Sequence, residues 1–531
     1  MAALLATLLL LGALATPVFA HGALKRSSPS AGEHLAEVPR ELKLTFTEAV
    51  ELAFTRLALT GPDGPVGLAP LALAPDSATV LLAGIRGPLR PGRYQVSWQV
   101  AGADGHPVRG QYFFVIAPGA RGAPAALGPI APGQTSPPRT HHEPTTFPQG
   151  SGFDAESPLY AVVRWLTFVT LLAVIGAVAF RLVVLRLLRL RDAGWASELI
   201  PAASSRAARL GLWAAVGLAL AALLRLYAQS VALHGGAAAL QPALLGTMLS
   251  RTIWGWAWVA QAVGTGLALL GFARAARAPA ALAEPRGVSA AAPTAVASVA
   301  ALGSDPAGTS GAAVAGEVEE HAPHGQAAPE SPPTPDAPVP GAGMGWAAAA
   351  LGVLILAFTP AFSGHAAATT RFAPLPVLAD GLHVLGAGGW LGSLLVLVAA
   401  GLPAALALAA DRRGPAVAAL VGAFSPTALG FAALVTLTGV FAGWLHLGSV
   451  PALWQSAYGR TLLVKLAVLG GVFGTGAYNW LRVLPALGTD EAAGRLRRSA
   501  TAELLVGLVV LAATAVLVAT GTPAAMEPGM P

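Results

Sequence analysis

Three ionisable residues capable of shared chemistry lie in the stretch SGHAAATTRFAPLPVLADGLHVLGAGGWL (363–391). His365, Asp380 and His383 stand where two apolar segments meet at a short polar turn. Ionisable side chains at the edge of an apolar span are costly to desolvate, which makes them a site before they are decoration. Asp380 and His383 are three residues apart, so a helix puts them on one face, where they can hold the same ion or bond to each other. An unpaired carboxylate at that depth would cost several kcal/mol, on the order of the 2–7 kcal/mol for burying an unpartnered polar group. The alternative for this pair is a structural contact joining two helices.

A second constellation lies far upstream. The turn ADGHP (103–107) carries Asp104 and His106 two residues apart, and Gly105 permits a tight bend that lets both side chains project the same way. Residues 1–20 form an apolar run ending in small residues, the pattern of a secretory leader, although no Lys or Arg precedes the run. Cleavage after Ala20 would make His21 the amino terminus, whose α-amine and imidazole chelate one metal and leave equatorial places for His106 and Asp104. Nitrogen-rich tetragonal coordination with one carboxylate suits Cu(II). The chain has no cysteine and its five Met are scattered, so thiolate and clustered thioether sites are excluded.

The elements that must position these residues follow from composition and period. With 55% hydrophobic and 11% charged residues and a mean hydropathy of +0.64, most of the 531-residue chain belongs in lipid. The net charge of +6 comes largely from Arg beside apolar segments, which reports orientation rather than nucleic-acid binding. Period-two runs at 42–48, 55–60, 79–85, 93–100 and 111–116, broken by GPDG, LRPG and AGADGHP, predict a small antiparallel Greek-key sandwich over 21–117. Its buried face would include Tyr94, Val96, Trp98 and Val100.

Residues 118–157, rich in Pro, Gly and Thr, predict a flexible linker that includes His141 and His142. Beyond it, eight apolar segments are long enough for the roughly 30 Å hydrocarbon core, near 159–184, 208–232, 252–273, 345–362, 376–401, 417–444, 461–482 and 501–520. Three fall in a block over 158–274 and five in a block over 344–525. The Ala/Pro/Gly-rich connection 275–343 between them predicts disorder, with an acidic patch around Glu317, Glu319 and Glu320; its His321 and His324 are candidates to capture a metal leaving the membrane, the alternative being a linker that merely joins two halves. The fold class is thus mixed: an all-β sandwich followed by an all-α polytopic membrane domain.

Arg181, Arg186, Arg189, Arg191, Arg206 and Arg209 separate the first two segments; Arg274, Arg277 and Arg286 follow the third. Arg412 and Arg413 follow the fifth, and Arg482, Arg495, Arg497 and Arg498 separate the last two. Alternating helices put all of these on one side, predicting that side as cytoplasmic. The sandwich and the C-terminus then face outward, as do His234, His365, His383 and His446. For His234 and His446 the alternative is solvation by headgroups. Lys465 and Glu503 are further intramembrane charges, read as bracing helices or lining a path.

HGALKRSSPSAGEHL (21–35), LTFTEAVE (44–51) and PGRYQVSWQVAGADGHPVRGQYFFVI (91–116) resemble the periplasmic copper-binding CopC family. The resemblance implies a Cu(II) site at His21, Asp104 and His106; Glu48 is the nearest match to a further ligand that some members carry. The membrane half, through SGHAAA (363–368), ADGLHVLGAGGWLGSL (379–394), TLTGVFAGW (436–444), AYGRTLLVKLAVLGG (457–471), AYNW (477–480) and LRRSATAELLVGLVVL (496–511), resembles the CopD copper-resistance family. Fused CopC–CopD proteins are implied to capture periplasmic copper and pass it through a bacterial inner membrane, with His365, Asp380 and His383 receiving it.

Copper ion and the lipid bilayer are the expected partners, with a periplasmic copper chaperone or redox partner as a further one and nucleic acid excluded. No Walker-type phosphate loop is present, so energy would come from gradients or reduction. The chain is expected not to be an enzyme. The rival readings are a copper or haem redox enzyme, in which membrane histidines ligate haem, and a module that senses or delivers copper without transport.

Overall fold

The period-two runs become strands, as their β-branched and aromatic content demands. In a computed structural model, residues 24–47, 49–101, 107–122, 157–190, 195–277, 340–362, 374–483 and 490–520 are described. The strands are β1 Leu24–Ser28, β2 His34–Glu37, β3 Glu41–Phe46, β4 Arg56–Gly61, β5 Gly64–Leu68, β6 Ala72–Ala74, β7 Ser77–Arg86, β8 Gly92–Ala101 and β9 Pro107–Arg121. They pair in the order β1-β3-β7-β5-β4-β8-β9-β2, with β6 on β7. All pairings are antiparallel except β2 with β9. The sheet curls into a half-barrel around Leu42, Leu44, Phe46, Tyr94, Val96, Trp98, Val100, Phe114 and Ile116. Trp98 meets Phe46 edge-on at 5.1 Å, and Tyr94 stacks on Phe114 at 5.3 Å.

One departure from strand alternation matters for function. In β8 the even positions from Tyr94 to Val100 are buried as the period predicts, yet Gln99 and Ala101, on the opposite face, are each only 1% exposed. A face of this lobe is therefore covered by something other than its own core.

The cover is the helical lobe. Eight helices among the described residues are long and apolar enough to cross a membrane: α1 Pro158–Arg189, α2 Ala196–His234, α3 Ile253–Arg277, α4 Pro340–Phe362, α5 Pro374–Ala405, α6 Ala410–Leu447, α7 Ala457–Tyr478 and α8 Asp490–Leu517. Short helices Pro242–Arg251 and Ala452–Gln455 precede α3 and α7. Each then hands over to a capped span. Thr252 Oγ1 accepts from the Gly255 amide at 2.8 Å and Ser456 Oγ from the Gly459 amide at 2.9 Å, satisfying backbone donors that a helix start leaves open.

Helix α5 is not a uniform α-helix. It contains π turns at Gly388–Gly392 and Leu397–Gly401, a feature that recurs at functional sites. The first lies where α5 touches α1 backbone to backbone. A Cβ on Gly392 would collide with the Leu172 carbonyl, and one on Gly176 with the Gly392 backbone. At the opposite end of α2 from the sandwich, Arg412 of α6 pairs with Glu198 of α2 at 3.0 Å, drawing two of the Arg-rich connections onto one face.

Candidate metal centre

His383, on α5, faces α6. Its Nδ1 lies 2.9 Å from Thr438 Oγ1. That hydroxyl has a single hydrogen, which goes to the Leu434 carbonyl at 2.7 Å, with the Val435 carbonyl at 3.2 Å. With that hydrogen on its own helix, Thr438 accepts from His383, which places the ring proton on Nδ1 and leaves the Nε2 lone pair to a ligand. Among the described residues Nε2 has no hydrogen-bond partner. This is how a metal-binding imidazole is held: one nitrogen donates to the protein so that the other can ligate. Gly439, next along α6, lets the ring lie close, since a Cβ there would stand 3.3 Å from His383 Cε1.

Asp380 shares the helix face with His383 and is half-buried. Among the described residues its carboxylate has no hydrogen-bond donor, and the two residues do not bond to each other. Lys465 of α7 and the Tyr458 hydroxyl lie within its electrostatic reach without meeting it in a direct ion pair or hydrogen bond. Lys465 thus balances the carboxylate from a distance and leaves its oxygens open. Tyr458 also stands between this cluster and His446, whose ring is 6.2 Å from the phenol centroid. Deeper in the bundle Glu503 is 6% exposed and accepts from Asn479 Nδ2 at 3.3 Å, with the Trp390 indole also in hydrogen-bond reach.

Not every expected ligand can be placed. Among the described residues no three His, Cys, Asp or Glu side chains converge as a metal cage. His365, expected to join Asp380 and His383, lies outside the described residues, as do His21, Asp104, His106, Glu48, the linker histidines His141 and His142, and His321 and His324. What is described of the upper constellation is its frame: Ala101 pairs with Pro107 across β8 and β9, so the connection bearing Asp104 and His106 springs from that strand end. Beside it the Glu51 amide donates to the Ala101 carbonyl at 3.0 Å, and burial raises the Glu51 carboxyl above the ordinary carboxylate range.

That strand end sits on the helical lobe. Arg109 Nη2 donates to the Ala232 carbonyl at 2.8 Å, Gln99 Nε2 donates to the Leu233 carbonyl at 3.3 Å, and Arg109 Nε donates to Gln99 Oε1 at 3.0 Å. These are last-turn carbonyls of α2, which have no partner inside their own helix. A guanidinium at a helix C-terminus also complements the helix dipole. Phe54 and Ala101 of the sandwich bury themselves with Leu233, Met248 and Trp254, and the Phe54 ring meets His234 edge-on at 5.9 Å. Sequence reading supplied Asp380 and His383 but missed Thr438, Arg109 and Gln99, because a lone polar residue in an apolar helix or on an outward strand face carries no local sign of its partner.

Three family models match the chain: the CopC domain over residues 24–117, the Copper resistance protein D-like N-terminal domain over 154–311, and Copper resistance protein D over 418–517. The copper transport protein CutJ of Bacillus subtilis (strain 168) is 25% identical over 516 residues, covering 96% of this chain and 75% of that protein. Copper resistance protein C of Escherichia coli is 32% identical over 113 residues, covering 19% of this chain and 86% of that protein. Protein YobA of E. coli (strain K12) is 32% identical over 105 residues, 19% of this chain and 85% of its own length. Among solved structures, CopC from Methylosinus trichosporium OB3b matches at 32% identity over 18% of this chain and 95% of that one, with a TM-score of 0.18. The chain is a multi-pass membrane protein with a copper-related role, and it belongs to the CopC–CopD family as a fusion of the two.

Proposed function

We propose that this protein captures Cu(II) on the sandwich, through His21, Asp104 and His106, and passes copper across a bacterial inner membrane by way of Asp380 and His383, with His365 at the same mouth. The observation that carries the membrane step is the wiring of α5: an imidazole whose Nε2 lone pair is kept free by Thr438, one helical turn from a half-buried carboxylate without a hydrogen-bond donor among the described residues. Oxygen and imidazole nitrogen together suit a borderline cation. A carboxylate left open inside an apolar bundle is a default cation site. The name of the Bacillus subtilis relative, a copper transport protein, agrees.

Sidedness follows from charge. The sandwich is seated at the C-terminal end of α2, and the Arg412–Glu198 pair lies at the other end among the Arg-rich connections. Arginine favours the cytoplasmic face, so the sandwich is periplasmic and meets copper first. The C-terminus after α8 is on the sandwich side. A periplasmic copper chaperone or redox partner is the natural donor to such a lobe.

The test is copper accumulation in cells carrying the full chain. Asp380→Asn and His383→Gln are each expected to reduce copper-dependent uptake at least tenfold, with the protein still present in the membrane; wild-type uptake in both variants rejects the path. Cupric paramagnetic resonance of the purified protein, together with sequencing of its mature amino terminus, tests the sandwich site. A start other than His21 removes that ligand.

A further inference from the structure

The seam between the lobes holds a histidine with the same wiring as His383. His234 is the last residue of α2 and is 9% exposed. Its Nδ1 lies 3.3 Å from Ser230 Oγ, one turn earlier, and Ser230 Oγ gives its single hydrogen to the Ala239 carbonyl at 2.6 Å. The serine therefore accepts from Nδ1–H, as Thr438 does at His383. Nε2 again keeps its lone pair and has no hydrogen-bond partner among the described residues.

Its position gives the free nitrogen a use. The ring lies against Phe54, and Ala101, from which the Asp104–His106 connection springs, is buried with Leu233, the residue before His234. We propose that His234 is a copper ligand at the seam, a receiving station to which the docked sandwich delivers its ion before it reaches Asp380 and His383. This rests on the transport reading above. The Arg56 guanidinium of β4 is within electrostatic reach of His234 and repels a cation there. The station accordingly holds copper loosely, as a transit ligand must if the ion is to move on.

The experiment uses the full chain in lipid nanodiscs, titrated with Cu(II) and followed by pulsed paramagnetic resonance, which counts imidazole nitrogens around the ion. Beyond the first equivalent, His234→Gln is expected to lose one imidazole contribution and to weaken copper retention about tenfold, the size of effect typical for a perturbed ligand shell. The first equivalent on the sandwich should be unchanged. His383→Gln should leave the seam signal intact.

In proteoliposomes His234→Gln should slow copper entry at least fivefold. A wild-type spectrum and wild-type retention in His234→Gln overturn the proposal whether or not the protein transports, whereas unchanged flux in His383→Gln with a lost seam signal in His234→Gln would overturn the transport path alone. Because removing the ring also disturbs the Phe54 contact, Ser230→Ala serves as the second variant. It keeps the imidazole but releases Nδ1, and is expected to weaken retention about threefold to tenfold. No change in either variant ends the proposal.

Discussion

At the scale of single residues, the decisive feature is which imidazole nitrogen carries the proton. A threonine hydroxyl whose hydrogen is committed to its own helix can only accept, and that leaves Nε2 as the His383 nitrogen open to the proposed copper path. Thr438→Val removes the acceptor while keeping the shape, so the ring can adopt either tautomer. Copper flux at limiting copper is expected to fall about tenfold, in line with the 10–100-fold cost of losing an outer-shell partner, and Thr438→Ser should restore it. Failure of serine to rescue would assign Thr438 a packing role. The Asp380–His383 pair was readable in the sequence because a spacing of three is local and a helix converts it directly into a shared face. Thr438, 55 residues further on, was not. Lys465 was readable as an intramembrane charge, but only the packing of α7 against α5 identifies Asp380 as the group it balances.

Helices and strands were legible to the extent that their signals are periodic or long. All eight spans follow from apolar runs, since nothing else accommodates roughly 20 consecutive lipid-compatible residues. Their ends were not fixed in the same way: α2 begins at Ala196 and α6 at Ala410, several residues before the apolar runs, because helices of 39 and 38 residues are about twice the length the hydrocarbon core requires and continue into the aqueous connections. In the sandwich, β8 was set by alternation, whereas β1, β2, β5 and β6 were missed, being short and, in β5, rich in Gly and Pro.

The π turns of α5 were invisible to periodicity, and the first of them is what lets α1 and α5 touch at Gly176 and Gly392. Gly392→Ala must push the helices apart against the Leu172 carbonyl. Overpacking of this kind costs about 1–3 kcal/mol. A lower thermal midpoint in detergent is expected for Gly392→Ala and none for Gly430→Ala, where a Cβ meets nothing within 4 Å. Equal midpoints would mean that the contact yields without strain.

For the molecule as a whole, the question is whether a tether suffices. A connection between two lobes, where it is short and flexible, by itself gives one a millimolar-range effective concentration at the other, which would allow transfer without any fixed contact. The structure instead has Arg109 and Gln99 closing the open end of α2, with an apolar patch around Trp254 and Met248 beneath. No strand pattern announces this, because outward polar residues on a β-strand look the same whether water or another lobe covers them.

The two modes separate in the variant Arg109→Ala with Gln99→Ala. It removes one charge-assisted hydrogen bond to an α2 carbonyl, worth about 1.5–3 kcal/mol, and one neutral bond, worth about 0.5–1.5 kcal/mol, while leaving the buried core of the half-barrel in place. Spin labels on introduced cysteines, one per lobe in a chain that has no cysteine of its own, should give a narrow distance distribution in the parent and a broad one in the double variant. Copper binding to the sandwich should persist. Copper entry into proteoliposomes should drop several-fold, because transfer would then depend on chance encounters of the two lobes rather than on a seam that holds them together; a broadened distribution with undiminished flux would show the covalent connection alone to be enough.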